Sequence, residues 1–173
     1  VGVKSCSFYG GFDHYIGGFE EQKDNFLRIF KVYPGSKWVT HRPPTMGHAV
    51  QNRLPEKHLN SDELFEKAGV VMYHYSYVFP EQVRKKIEYY KAKVSMSKCI
   101  DDYFARIYLP WVTGSAAERR FIENMYNGVH EFKPQFRVGA KTKLFKGSHP
   151  KSIEKNMNKL KRRFNEELKK YAY

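Results

Sequence analysis

The segment from Val70 to Val94 constrains this chain more than any other. Val70-Val71-Met72-Tyr73 is a short apolar run of the kind a buried strand needs, and it ends in His74-Tyr75-Ser76-Tyr77. Pro80 then opens a helix, because its fixed φ suits the first turn and its missing N–H is not needed there. Val83, Ile87, Tyr90 and Val94 fall on one stripe of that helix, with Arg84, Lys85 and Lys91 opposite. A strand feeding a helix predicts an α/β chain (α+β within these residues), with a mixed sheet edge and flanking helices.

The rest of the chain supplies the partners. Val1 to Tyr9 reads as a strand running into Gly10-Gly11 and Gly17-Gly18, a mobile loop around Phe12, Asp13, His14 and Tyr15. Asn25 to Val32 reads as a second strand, Pro34-Gly35 as a type II turn, and Lys37 to Thr40 as the returning strand. Pro43-Pro44 should then leave the ladder, since neither has an N–H. Residues 45–60 read as a long polar loop. Asn60 or Ser61 caps a short helix that Gly69 ends. Further helices are expected from Cys99 to Leu109, stopped by Pro110, and from Ser115 to Tyr126. Short strands are expected at 128–132 and 142–145. In the last segment, 151–173, Ile153, Met157, Leu160, Phe164, Leu168 and Tyr171 share one face of a basic amphipathic helix, with Ser148 or His149 as its cap.

A length of 173 residues predicts one domain with a continuous core. The net charge of +13 favours polyanionic partners: nucleic acid, anionic lipid or phosphate-bearing substrates. Residues 151–170 hold eight Lys or Arg against three Glu, which concentrates much of that excess. Thirteen Tyr and thirteen Phe suit a sugar or nucleotide surface, or simply a Tyr-rich core. No stretch approaches the ~20 apolar residues of a spanning helix, and no secretory leader pattern is visible. The expected location is therefore cytoplasmic, or peripheral to a membrane. Cys6 and Cys99 read as free thiols, and the lack of any CxxC pair excludes a cysteine zinc site.

Three groups of residues carry chemistry. His41-Arg42, between a strand and a double proline, suits a grip on phosphate by guanidinium and imidazole, with Trp38 and Lys85 as further binding groups; an exposed pair on a basic surface fits equally. His74 at a strand end suits a ligand to Mn²⁺ or Mg²⁺ carrying a diphosphate, with Tyr75 beside it; a core histidine is the plainer alternative. Glu20, Glu21 and Asp24 follow the glycine-rich loop and either form a solvated turn or supply a base that takes a hydroxyl proton. Lys85 and Lys86 lie near the start of the Pro80 helix, whose N-terminus attracts anions. His149 in Gly147-Ser148-His149-Pro150 reads first as structural. P-loop, dinucleotide, nucleophile-elbow and HExxH patterns are missing.

Taken in order, Arg28-Ile29-Phe30, Pro34-Gly35-Ser36-Lys37-Trp38, His41-Arg42-Pro43-Pro44, His74-Tyr75-Ser76-Tyr77-Val78, the helix Val83 to Tyr90 and Gly147-Ser148-His149-Pro150 resemble the latter part of family 2-type glycosyltransferases. The resemblance covers roughly residues 19–155. It implies a GT-A fold and a nucleotide-sugar donor, with a glycan or other hydroxyl acceptor. By it, Glu20, Glu21 or Asp24 fall near the acceptor base, and His41 and His74 near the donor diphosphate and metal. The family's Asp-x-Asp motif and nucleotide-binding first half have no counterpart here. With Val1 as first residue, that implies the acceptor-side portion of a larger transferase, completed by a missing N-terminal half or a partner chain. A nucleic-acid-binding module, joining Lys/Arg phosphate contacts to Tyr/Phe stacking, is the competing expectation. Docking of the last helix on anionic lipid is a third.

Overall fold

Strand β1, Gly2–Tyr9, is buried along most of its length although it carries Lys4, Ser5, Cys6 and Ser7. The computed structural model describes residues 2–17, 26–27, 32, 34–41, 44–47, 61–93, 103–126 and 141–171, with backbone alone at 26–27, 40–41, 44–46 and 90–93. They form a mixed α/β chain of two compact units. One comprises Val1–Ser5 with Glu20–Met72, the other Cys6–Phe19 with Tyr73–Tyr173.

In the first unit, the start of β1 pairs antiparallel with β3, Phe26–Leu27, in the register Gly2↔Leu27 and Val3↔Phe26. Most of the first arm of the hairpin expected between residues 25–32 and 37–40 lies outside the described residues. β4, Lys37–His41, pairs with β5, Pro44–Gly47, and a bulge lies between Trp38 and Thr40. Pro44 therefore joins the ladder opposite His41 instead of leaving it. It does so as the first residue of its strand, a position where a missing N–H is tolerated. Gly35 has φ 81°, the left-handed value a type II turn demands after Pro34. Helix α1, Ser61–Ala68, ends at Gly69 (φ 62°), whose N–H donates to the Phe65 carbonyl at 2.7 Å. Lys4 pairs with Asp62 of this helix at 2.9 Å and lies 4.8 Å over the Phe65 ring.

In the second unit the strand order is β6–β1–β2–β7, where β2 is His14–Ile16, β6 Val71–Tyr77 and β7 Thr142–Leu144. β2 is antiparallel to both of its neighbours. Along β6 the contacts climb together with β1: Phe8 stacks on Tyr75 at 4.7 Å, Tyr9 meets Tyr77 at 6.0 Å, and Gly10 N–H donates to the Tyr77 carbonyl at 2.8 Å. The best buried-strand candidate in the sequence, Val70 to Tyr73, is only half-buried; among the described residues β6 pairs with β1 alone, whereas β1 has neighbours on both sides. The strand also runs on to Tyr77, so His74 sits mid-strand.

Helix α2, Pro80–Lys93, starts at its proline and buries Val83 and Ile87. Pro110 does not stop the next helix. A π-helical turn, Tyr103–Tyr108, runs straight into α3, Leu109–Thr113, whose second residue is Pro110. Helix α4, Ala116–Met125, carries a capping box: Ser115 Oγ accepts from Glu118 N–H and Glu118 accepts from Ser115 N–H at 2.7 Å. Helix α5, Lys151–Lys169, lays Ile153, Met157 and Leu160 on the core of Phe8, Phe12 and Val78. Phe12 is buried there, so the glycine loop before it is a packed turn rather than an open one. No described helix is long and apolar enough to cross a membrane.

Candidate functional site

Two segments singled out in the sequence meet in the second unit. The Tyr75 hydroxyl, on β6, lies 2.8 Å from Nδ1 of His149, just before α5. His149 also donates to the backbone carbonyl of Phe12, and that contact raises its basicity. With one ring nitrogen committed as donor, a neutral imidazole leaves Nδ1 as acceptor, so the phenol O–H is the donor to it. The expected side-chain cap on α5 is therefore not made. Pro150 is the N-cap residue, and its carbonyl accepts from Ile153 and Glu154.

Rings enclose the pair. His149 lies 4.8 Å from Phe8 and 4.9 Å from Phe145, while Tyr75 stacks on Phe8. Burial is the main reason that the His149 pKa is held below the ordinary histidine value; Phe12, Asp13 and Glu154 oppose it and Lys161 reinforces it. Burial likewise pushes the Tyr75 phenol up, with Cys6 and Tyr73 adding. At the rim, Lys161 pairs with Asp13 at 3.4 Å. Tyr75 is thus a neutral donor whose proton is already engaged.

A second polar centre lies around Glu123 of α4, which sequence reasoning missed. Its buried carboxylate accepts from Trp111 Nε1 at 2.9 Å, from Arg120 at 2.6 Å and from the Thr142 hydroxyl. Trp111 carries Arg119 over its ring at 4.7 Å and His14 edge-on at 5.5 Å. Burial, then Arg119, holds the His14 pKa low. The only sequence cue to this centre is Arg120, one helical turn before Glu123. An open groove of about 410 Å³ runs beside α4, lined by Arg106, Pro110, Phe121, Ile122, Met125 and Tyr126.

The other expected residues are placed as follows. Trp38 stands on β4 with 62 % of its surface exposed. His41 ends β4, in the first unit, whereas His74 lies in the second. Strand alternation puts His74 on the opposite face from Tyr75. Lys85 is exposed on α2, while Lys86 turns onto β6, donating to Ser76 Oγ at 3.0 Å and lying 3.8 Å from the Tyr77 ring. Glu20, Glu21, Asp24, Arg42, Cys99 and the expected strand at 128–132 lie outside the described residues. The N-terminus of α2, expected to attract phosphate, is occupied by the chain itself: Glu81 N–H donates to the Glu167 carboxylate of α5 at 3.0 Å. Among the described residues no three of His, Cys, Asp and Glu gather as a metal site.

Comparison of the chain with protein-family models, with curated proteins and with solved structures finds no match.

Proposed function

We propose that the chain is the acceptor-side part of a GT-A-type glycosyltransferase, moving a sugar from a nucleotide-sugar donor to a hydroxyl of a glycan or similar acceptor. One observation supports this reading above others. Two of the segments that carry the family resemblance, His74-Tyr75-Ser76-Tyr77 and Gly147-Ser148-His149-Pro150, lie 74 residues apart at Tyr75 and His149 and are bonded to each other. They act as one unit of structure.

In this reading the bond between the sugar carbon and the diphosphate oxygen breaks as a bond forms to the acceptor oxygen. One of Glu20, Glu21 and Asp24 takes the acceptor proton. His41 and Arg42 meet the charge that grows on the departing diphosphate. Mn²⁺ or Mg²⁺, when bound, would supply further charge to the diphosphate.

Thermal unfolding with a panel of nucleoside-diphosphate sugars, with and without Mn²⁺, tests the proposal. A rise in Tm with one donor that Arg42→Ala abolishes is the expected result. Absence of any donor effect, together with stabilisation by an oligonucleotide that fades steeply with salt, would replace this reading by nucleic-acid binding.

A further inference from the structure

Helix α5 has two unlike faces. One is packed from end to end. Ile153, Met157 and Leu160 rest on the Phe8, Phe12 and Val78 core, and Arg163 lies 4.4 Å over Phe79. Glu167 holds the Glu81 N–H at 3.0 Å, and Tyr171 meets Phe104 at 4.9 Å just past the helix. The opposite face carries Lys151, Lys155, Lys159, Arg162 and Lys169, all exposed. At 100° per residue these five fall within an arc of about 80°, along about 27 Å of helix. Glu166 is the one carboxylate in that arc, and it lies 4.0 Å from Arg162. Among the described residues Lys151, Lys155, Lys159 and Lys169 have no ion-pair partner within 4.0 Å. By contrast, Lys161 and Arg163, on the flanks of the helix, pair with Asp13 and Glu167.

We propose that this face docks the chain on an anionic lipid surface, lying flat and held by charge without insertion. A row of cations along one exposed helix face matches a plane of anionic headgroups. Insertion of the kind free amphipathic helices use is closed to α5, because its apolar face is already spent on the core. Nucleic acid fits the face less well. Its aromatic side chains, Phe164 and Tyr171, sit on the packed side, which leaves no ring on which a base can stack. A helix packed along its whole length also does not protrude into a groove. The proposal stands on α5 alone and does not depend on sugar transfer.

Co-sedimentation of the full chain with phosphatidylcholine vesicles, with and without phosphatidylserine, tests it. Binding is expected only with phosphatidylserine and is released at about 0.5 M salt, where charges are screened within a few ångströms. The triple variant Lys151→Gln, Lys155→Gln, Lys159→Gln should bind on the order of a hundredfold more weakly, at roughly fivefold per lysine. The charge-matched triple Lys67→Gln, Lys141→Gln, Lys146→Gln, which changes exposed lysines off α5, should retain binding within a few-fold. Circular dichroism confirms that both fold. Equal losses in the two triples would overturn the proposal, since net charge alone would then explain binding. So would retention in high salt, or a duplex oligonucleotide that displaces the vesicles through the same α5 lysines.

Discussion

The phenol of Tyr75 donates to Nδ1 of His149 across 2.8 Å, and Phe8 lies against both rings, at 4.7 Å and 4.8 Å. This ties β6 to the start of α5, while the donation from His149 to the Phe12 carbonyl ties in the turn between β1 and β2. Tyr75→Phe keeps the stacking and removes the hydroxyl, so it should cost about 1 kcal/mol in urea unfolding. His149→Ala also forfeits ring contacts and should cost about 2–3 kcal/mol. In the double variant the two losses should fall short of additivity by about 1 kcal/mol, the signature of a shared bond. Strict additivity would show that the bond contributes nothing.

Acid should weaken the second unit. Burial holds the pKa of His149 below the ordinary histidine value, and burial with Arg119 does the same for His14. Once unfolded, both return to about 6.5. Below that pH the unfolded chain takes up protons that the folded chain refuses, so stability is full above about 6.5 and declines as pH falls. The decline levels off at the lowered folded pKa. Urea midpoints taken from about pH 7.5 downward should fall in step, and His149→Gln should flatten the slope, leaving the His14 share. An unchanged slope in that variant would remove His149 from the account.

What was legible in the sequence was local. The α5 stripe, the helix beginning near Ser115, Pro80 at the start of α2 and Gly69 at the end of α1 each depend on residues within a few positions. Distance along the chain hid the rest. Nothing near Phe26 says that it pairs with Val3, and nothing near Glu123 says that Thr142 will donate to it. The prolines misled for a different reason. Pro44 and Pro110 read as breaks, yet Pro44 is the first residue of its strand, where no N–H is missed, and Pro110 sits where a π-helical turn passes into α3. Of the expected site residues, Tyr75 found a partner that the sequence had set aside as structural.

The Glu123 centre should be intolerant of losing its charge acceptor. Glu123→Leu leaves the buried Trp111 N–H and the Thr142 hydroxyl unpaired and frees Arg120, which should cost about 3–5 kcal/mol. Glu123→Gln still offers a carbonyl oxygen to Trp111 and Thr142, so its cost should stay near 1–2 kcal/mol. The ordering decides the matter: equal losses in chemical unfolding would mean that packing, not hydrogen bonding, is what Glu123 supplies.

Gly10 and Gly69 share φ 62° but not surroundings. A Cβ at Gly69 would meet nothing within 4 Å, so Gly69→Ala should cost only the left-handed backbone penalty, about 1–2 kcal/mol. At Gly10 the same carbon would overlap the Trp111 ring, which is buried between Tyr9 and the Glu123 carboxylate and has no room to yield. Gly10→Ala should therefore add about 1–3 kcal/mol of overpacking to that penalty. Trp111→Phe in the same chain removes the overlapping part of the ring, so the extra cost of Gly10→Ala should largely vanish in that background, as denaturant midpoints would show. If the two glycines prove equally replaceable, close packing of the β1–β2 turn on Trp111 is not what fixes Gly10.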